Sequence, residues 1–223
     1  MPSSSVMVLA LCALGCFLVC GIPFGLIVTK ALAGFDVRTQ GSGNIGMTNV
    51  ARSAGGKAAA ITFVLDVGKG TVSMLVSRLV LAAFTGVGAE MLAFGEPLDW
   101  WCTILYVSCV FGHVFSPYLR FHGGKGISVG FGAALGLDWV VALVFLAVFL
   151  AVTIPSHFIS AGSIAAAASL PIQGIIRHAT PASLALMVLA SGVVIWSHRE
   201  NIGRLLRHEE RPFTIRHDDA KGS

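Results

Sequence analysis

Apolar residues along this chain gather into runs too long for strands and too continuous for surface helices. The first covers residues 6–29, with Pro23 near its end. Others cover roughly 55–83, 98–117, 138–155, 158–176 and 181–198. Each approaches or exceeds the ~20 residues that carry a helix across ~30 Å of hydrocarbon. After Gly126 comes a shorter, glycine-dotted segment, ISVGFGAALGL, too short to cross a bilayer unaided. The pattern predicts an all-α polytopic membrane protein of about seven helices.

The polar positions between the runs predict its sidedness. Lys30, Arg38, Arg52 and Lys57 follow the first run, and Arg120 and Lys125 follow the third. Arg199, Arg204, Arg207, Arg211, Arg216 and Lys221 lie in the tail. With seven passes, or five, all these basic residues share one face, whereas an even count scatters them. The opposite face keeps Arg177 and an acidic loop with Glu90, Glu96 and Asp99. Positive charge collects on the cytoplasmic side, so the N-terminus is expected outside and the tail inside.

Composition agrees. Hydrophobic residues make up 55%, charged residues only 12%, and mean hydropathy is +0.82. The opening MPSSSVMVLA lacks a basic region and a small-residue cleavage site, so the first run is expected to be a retained span. Of five cysteines none forms a C-x-x-C pair. Cys12, Cys16 and Cys20 recur every four residues on one helix face, as packing or lipid contact, with no sign of a metal or disulfide. No soluble domain or internal repeat is evident. The expected organisation is one integral-membrane unit over residues 1–198 and a cytoplasmic tail over 199–223.

Three polar patches fall on the basic face. Residues 41–46 read GSGNIG, the spacing of a dinucleotide-binding loop, and Asp66 stands about 20 residues on, where a ribose partner would be. That fingerprint needs a strand before the glycines. Here a membrane-length run precedes them, which excludes a nicotinamide site. What remains is a glycine-rich loop, GSGNIGMTNVAR, whose backbone N–H groups and Arg52 suit an anion. The second patch, GHVFSPYLRFHGGKGISVG over 112–130, is not a Walker A sequence, but Gly123, Gly124 and Gly126 surround Lys125 like a nest of donors. His113 and His122 have no further metal ligand at useful spacing and read as structural. The third, SHRENIGRLLRHEE from residue 197, puts His198 and Asn201 on one helix face with Arg199 and Arg204 off it. Within the second run, Asp66 and Lys69 stand three apart, a functional or bracing pair at membrane depth.

Together these patches resemble the PlsY family of membrane acyltransferases. The family's G-S-G-N-x-G-A-T-N-x-x-R is GSGNIGMTNVAR here, with Met47 for alanine. Its D-x-x-K-G is Asp66 to Gly70. Its G-H…F-x-G-G-K-G-V-A-T is Gly112-His113 followed by FHGGKGISV. Its H-R-x-N-I-x-R-L-x-x-G-x-E is HRENIGRLLRHEE, with His208 for glycine. The resemblance covers nearly the whole chain. It implies a seven-helix protein of the bacterial inner membrane that transfers a fatty acyl group from acyl phosphate to glycerol 3-phosphate, the first step of phospholipid synthesis. It implies no metal, no nucleotide cofactor, no nucleic acid and no obligatory protein partner. Membrane lipid is the surrounding medium.

On that reading Ser42, Arg52, Lys125, His198 and Asn201 carry the chemistry. Gly41, Gly43, Asn44, Thr48, Asn49, Gly123, Gly124, Gly126, Ser160 and Ser163 bind substrate or phosphate. Asp66, Lys69 and Glu210 support them. The base stays open between His198 and the donor's own phosphate. The His-x-x-x-x-Asp pair of many other acyltransferases is absent, since Tyr118 stands five after His113 and Gly203 five after His198. A transporter of a phosphorylated solute would also need membrane helices and anion loops, but it should place its polar groups at the midplane. A membrane phosphatase is the third alternative.

Overall fold

The computed structural model describes residues 3–213, so Arg216 and Lys221 lie outside the described residues. The described residues form nine α-helices: α1 (Ser3–Gly21), α2 (Phe24–Ala33), α3 (Met47–Thr85), α4 (Asp99–Val114), α5 (Ile127–Leu137), α6 (Trp139–Ser156), α7 (Ile159–Ile176), α8 (Pro181–Ser197) and α9 (Arg199–Leu206). Pro23 lacks an N–H and separates α1 from α2. Among the described residues, five stretches are long and apolar enough to cross a membrane, Ser3–Ala33, Met47–Thr85, Asp99–Leu119, Trp139–Ser156 and Ile159–Ile176. A sixth follows if α8 and α9, bent by 60°, count as one span. The 11-residue α5 rises only about 16 Å.

Glycines decide which helices meet. α5 lies along α3, and there Cβ atoms added at Gly70, Gly132 or Gly136 would run into the facing helix. The close approach lets the Thr71 hydroxyl donate to the Gly132 carbonyl across the interface, at 2.8 Å. In lipid, where burial of apolar surface gives no drive, such contacts and packing hold helices together. α1 packs on α4 and α3. Its Cys12, Cys16 and Cys20 are buried there, with Cys16 Sγ 3.3 Å from Ser77 Oγ, so this face packs on protein. The central α4 buries Trp101, Leu105 and Tyr106.

The two ends of the bundle differ. At one end, buried Asp99 accepts from the Thr180 hydroxyl at 2.6 Å and from its N–H at 2.9 Å. Asp138 caps α6 and pairs with Arg177 at 2.7 Å. These groups close the α4, α6 and α8 starts. The other end gathers the C-termini of α4, α6 and α8 and the N-termini of α3, α5 and α7, and the three polar patches meet there.

Candidate functional site

The first patch is part loop and part helix. Gly41 to Gly46 are irregular, but α3 begins at Met47, so Thr48, Asn49 and Arg52 stand on helical turns rather than in the expected loop. Gly55, at φ 84°, then kinks α3. Asn49 is buried and folds the loop around itself. Its Nδ2 donates to the Val37, Gln40 and Asn44 carbonyls at 3.2, 3.1 and 2.9 Å, and its Oδ1 accepts the Ser42 N–H at 3.0 Å. The Gly43 N–H is bound to Gln40 O and the Gly46 N–H to Asn44 Oδ1. The expectation of a cradle of free backbone donors is corrected here, because the Ser42, Gly43 and Gly46 N–H groups already hold the loop together. The Ser42, Asn44 and Thr48 side chains line a cavity, as does Arg52.

The second patch is corrected in the same way. The Gly123 N–H donates to Val114 O at 2.9 Å and the Gly124 N–H to His113 O at 3.0 Å. These glycines pin the loop to the last turn of α4 instead of presenting N–H groups to a ligand. They must be glycine because a Cβ on either would strike His113. Pinned this way, the loop delivers Lys125, whose Nζ donates to Asn201 Oδ1. The Ser197 hydroxyl holds the Lys125 carbonyl at 3.0 Å.

The third patch turns at His198, between α8 and α9. His198 is buried, and its Nδ1 lies 2.8 Å from Val194 O. A carbonyl only accepts, so Nδ1 carries the proton and Nε2 of the neutral ring is left as an acceptor. Glu210 joins the elements. Its Oε1 accepts from Asn201 Nδ2 at 2.7 Å and from the Ser160 hydroxyl at 2.9 Å, and its Oε2 pairs with Arg204 Nε at 2.7 Å. Arg52 Nη2 donates to the Arg211 and Pro212 carbonyls at 3.1 and 3.3 Å.

Burial shapes the charges. It pushes the Lys125 ammonium down to about 8, with the Arg204 cation adding to the effect and Glu210 opposing it. Burial alone would raise the Glu210 carboxyl. The hydrogen bonds from Asn201, Arg204 and Ser160 outweigh it and hold the group below its ordinary value.

These side chains ring one cavity of about 370 Å³. Its polar end holds Ser42, Arg52, Lys125, His198, Asn201 and Arg204. Its apolar wall is Phe63 of α3, Phe131 of α5 and Phe145, Leu146, Phe149 and Leu150 of α6. Asn49, Gly126, Ser160, Ser163, Asp66 and Glu210 also border it, whereas Gly41, Gly43, Gly123, Gly124 and Lys69 do not line it. Lys69 pairs with Asp66 at 2.7 Å and donates to Ile22 O at 2.7 Å. Arg204 is the residue that sequence reasoning set aside. Its signal was present, since Asn201 and Arg204 are three apart and share a face of α9. Arg199 instead lies over the Trp196 ring, 4.3 Å from its centre. Among the described residues no group of three His, Cys, Asp or Glu is placed to hold a metal.

Fold and site therefore define a multi-pass helical membrane protein with one amphiphilic cavity, cationic at the bundle end and apolar between helices. The profile of the family "Glycerol-3-phosphate acyltransferase" matches residues 10–208. A glycerol-3-phosphate acyltransferase of Clostridioides difficile (strain 630) is 40% identical over 197 residues, 87% of this chain and 90% of that protein. One of Synechococcus sp. (strain CC9902) is 37% identical over 202 residues, covering 91% and 93%. A crystal structure of PlsY, an integral membrane glycerol 3-phosphate acyltransferase, in its glycerol 3-phosphate form, superposes with a TM-score of 0.79 at 30% identity, over 92% of this chain and 96% of that one. The chain belongs to the glycerol-3-phosphate acyltransferase family, as a PlsY-like integral membrane enzyme.

Proposed function

We propose that the enzyme transfers a fatty acyl group from acyl phosphate to the 1-hydroxyl of glycerol 3-phosphate, releasing 1-acylglycerol 3-phosphate and inorganic phosphate. The observation that carries this reading is the joining of a cationic end and an apolar wall in one cavity. A phosphorylated head and a hydrocarbon tail on the same donor need both. The solved PlsY structure in a glycerol 3-phosphate form supports the acceptor.

In the proposed reaction the acceptor oxygen attacks the acyl carbonyl carbon, and the bond from that carbon to the phosphate oxygen breaks. Ser42 and Arg52 hold one phosphate. Lys125 faces the second phosphate or the carbonyl oxyanion, and His198 and Asn201 orient the acceptor. The hydroxyl proton passes to His198 Nε2 or directly to the departing phosphate, which is itself a good leaving group. No covalent enzyme intermediate is required. Asn49, Gly123 and Gly124 act by building the loops, and Asp66, Lys69 and Glu210 by bracing them. The basic face is the cytoplasmic one, in a bacterial inner membrane.

The test uses purified protein in detergent with a long-chain acyl phosphate. Phosphate release that requires glycerol 3-phosphate, matched by acylated product, is expected. Release without acceptor would mean a phosphatase, and no release at all would favour a transporter.

A further inference from the structure

His113 was read from the sequence as structural, and its surroundings say more. The ring is buried in the last turn of α4, 4% exposed, and it borders the cavity. Its Nδ1 lies 3.1 Å from Lys69 Nζ. An ammonium has three N–H donors and no acceptor. Lys69 donates to Ile22 O at 2.7 Å and turns a second N–H toward His113 Nδ1, while its charge pairs with Asp66 Oδ1 at 2.7 Å. Lys69 can only donate to the ring, so Nδ1 must be the unprotonated nitrogen. The ring proton of neutral His113 is therefore on Nε2.

With its Nδ1 edge turned inward on Lys69, the ring presents Nε2 beside the Cα of Gly124. That contact is close enough to forbid any side chain at position 124. The next residue is Lys125, whose ammonium also borders the cavity. His198 has the opposite tautomer, fixed by Val194 O. One cavity is thus bordered by two buried histidines of opposite character, one with an acceptor Nε2 and one with a donor Nε2–H.

We propose that His113 Nε2–H is a catalytic hydrogen-bond donor, held in the donor tautomer by Lys69, that stabilises the oxyanion forming on the acyl carbonyl. This rests on the acyl-transfer reading above. The group donates a hydrogen bond and transfers no proton. Electrons move from the attacking hydroxyl onto the carbonyl oxygen and back as phosphate leaves, so His113 ends the cycle unchanged. Asp66 and Lys69 then act as positioning residues. Their ion pair keeps the ammonium charged at membrane depth, where a lone charge is costly.

Two measurements test it. In wild-type protein carrying ¹⁵N-histidine, with the His113 signals assigned by their loss in His113→Gln, the Nδ1 resonance should be that of an unprotonated nitrogen and Nε2 that of an N–H. The reverse tautomer, or a doubly protonated ring, would overturn the proposal. In steady-state acyl transfer, His113→Phe should lower kcat by about 10²–10³ with little change in KM for glycerol 3-phosphate. Gln, whose amide reaches the Nε2 position, should restore more activity than Asn, whose amide reaches only Nδ1. Equal losses in Gln and Asn with raised KM values would assign His113 a packing role, and unchanged kcat in folded His113→Phe would reject any role. If the variants fail to fold, His113 is assigned in uniformly ¹³C,¹⁵N-labelled wild-type protein by correlating its ring with its own backbone, and that spectrum decides the tautomer on which the proposal stands. A wild-type protein that transfers no acyl group removes the acyl-transfer reading. A transferring one with the opposite tautomer removes only the His113 donor.

Discussion

Enclosed by α5, α8 and α9, the Lys125 ammonium gives up water and gains one amide oxygen, and burial brings its pKa to about 8. A lowered lysine pKa means the cation is complete below that value and is lost as pH rises through it. If the cation faces a phosphate or oxyanion, kcat/KM should fall above about pH 8, approaching tenfold per pH unit. Lys125→Arg keeps its charge at every accessible pH, so its lower activity should lack that alkaline limb. A wild-type profile flat to pH 10 would show that the charge is not used. The residue types were legible in the sequence. The pairing of Lys125 with Asn201, 76 positions away, was not, because nothing local records which distant amide a buried ammonium will find. The backbone donors were misjudged for a related reason. A glycine-rich stretch shows where N–H groups can converge, but not that Asn49 and the α4 carbonyls already occupy them.

At the scale of elements, the α3–α5 contact positions the site, since α5 starts immediately after Gly126. A methyl at Gly132 would meet the Val67 carbonyl. The backbone there cannot yield as a flexible side chain would. Gly132→Ala should therefore destabilise by about 1–3 kcal/mol, seen as a lower thermal midpoint in detergent, and should reduce turnover by tilting α5 and Lys125. Gly68→Ala, on the same α3 but with open space at its Cβ, should be neutral or gain up to about 1 kcal/mol from helix propensity. Equal losses in both would remove the packing explanation. Most helix ends were readable to within a few residues, because run length and glycine or proline punctuation act locally, although the first run breaks at Pro23 into α1 and α2. The start of α3 at Met47 was missed. Its first turns are polar, and apolar run length is blind to a helix that has not yet entered the hydrocarbon.

For the molecule as a whole, the bundle brings the three polar patches to one end, and the basic residues predict that this end is cytoplasmic. Single cysteines can report it in a background whose five buried native cysteines are replaced by alanine. Cysteines at the exposed positions Lys30, Arg120 and Arg207 should react with an impermeant reagent only from the cytoplasmic side. Those at Glu96 and His178, also exposed, should react only from the other. Labelling of the first three from opposite sides would break the shared site. The sequence by itself determined the membrane class, most helix ends and many of the polar residues that border the cavity. Those follow from how far apolar side chains run and where charges interrupt them. Tertiary structure alone decided which donors stay free, that Arg204 joins the cavity, and that His113 and Lys69 meet. Such pairings depend on helix contacts between segments far apart in the chain, and buried polar groups take whatever partners that packing brings within reach.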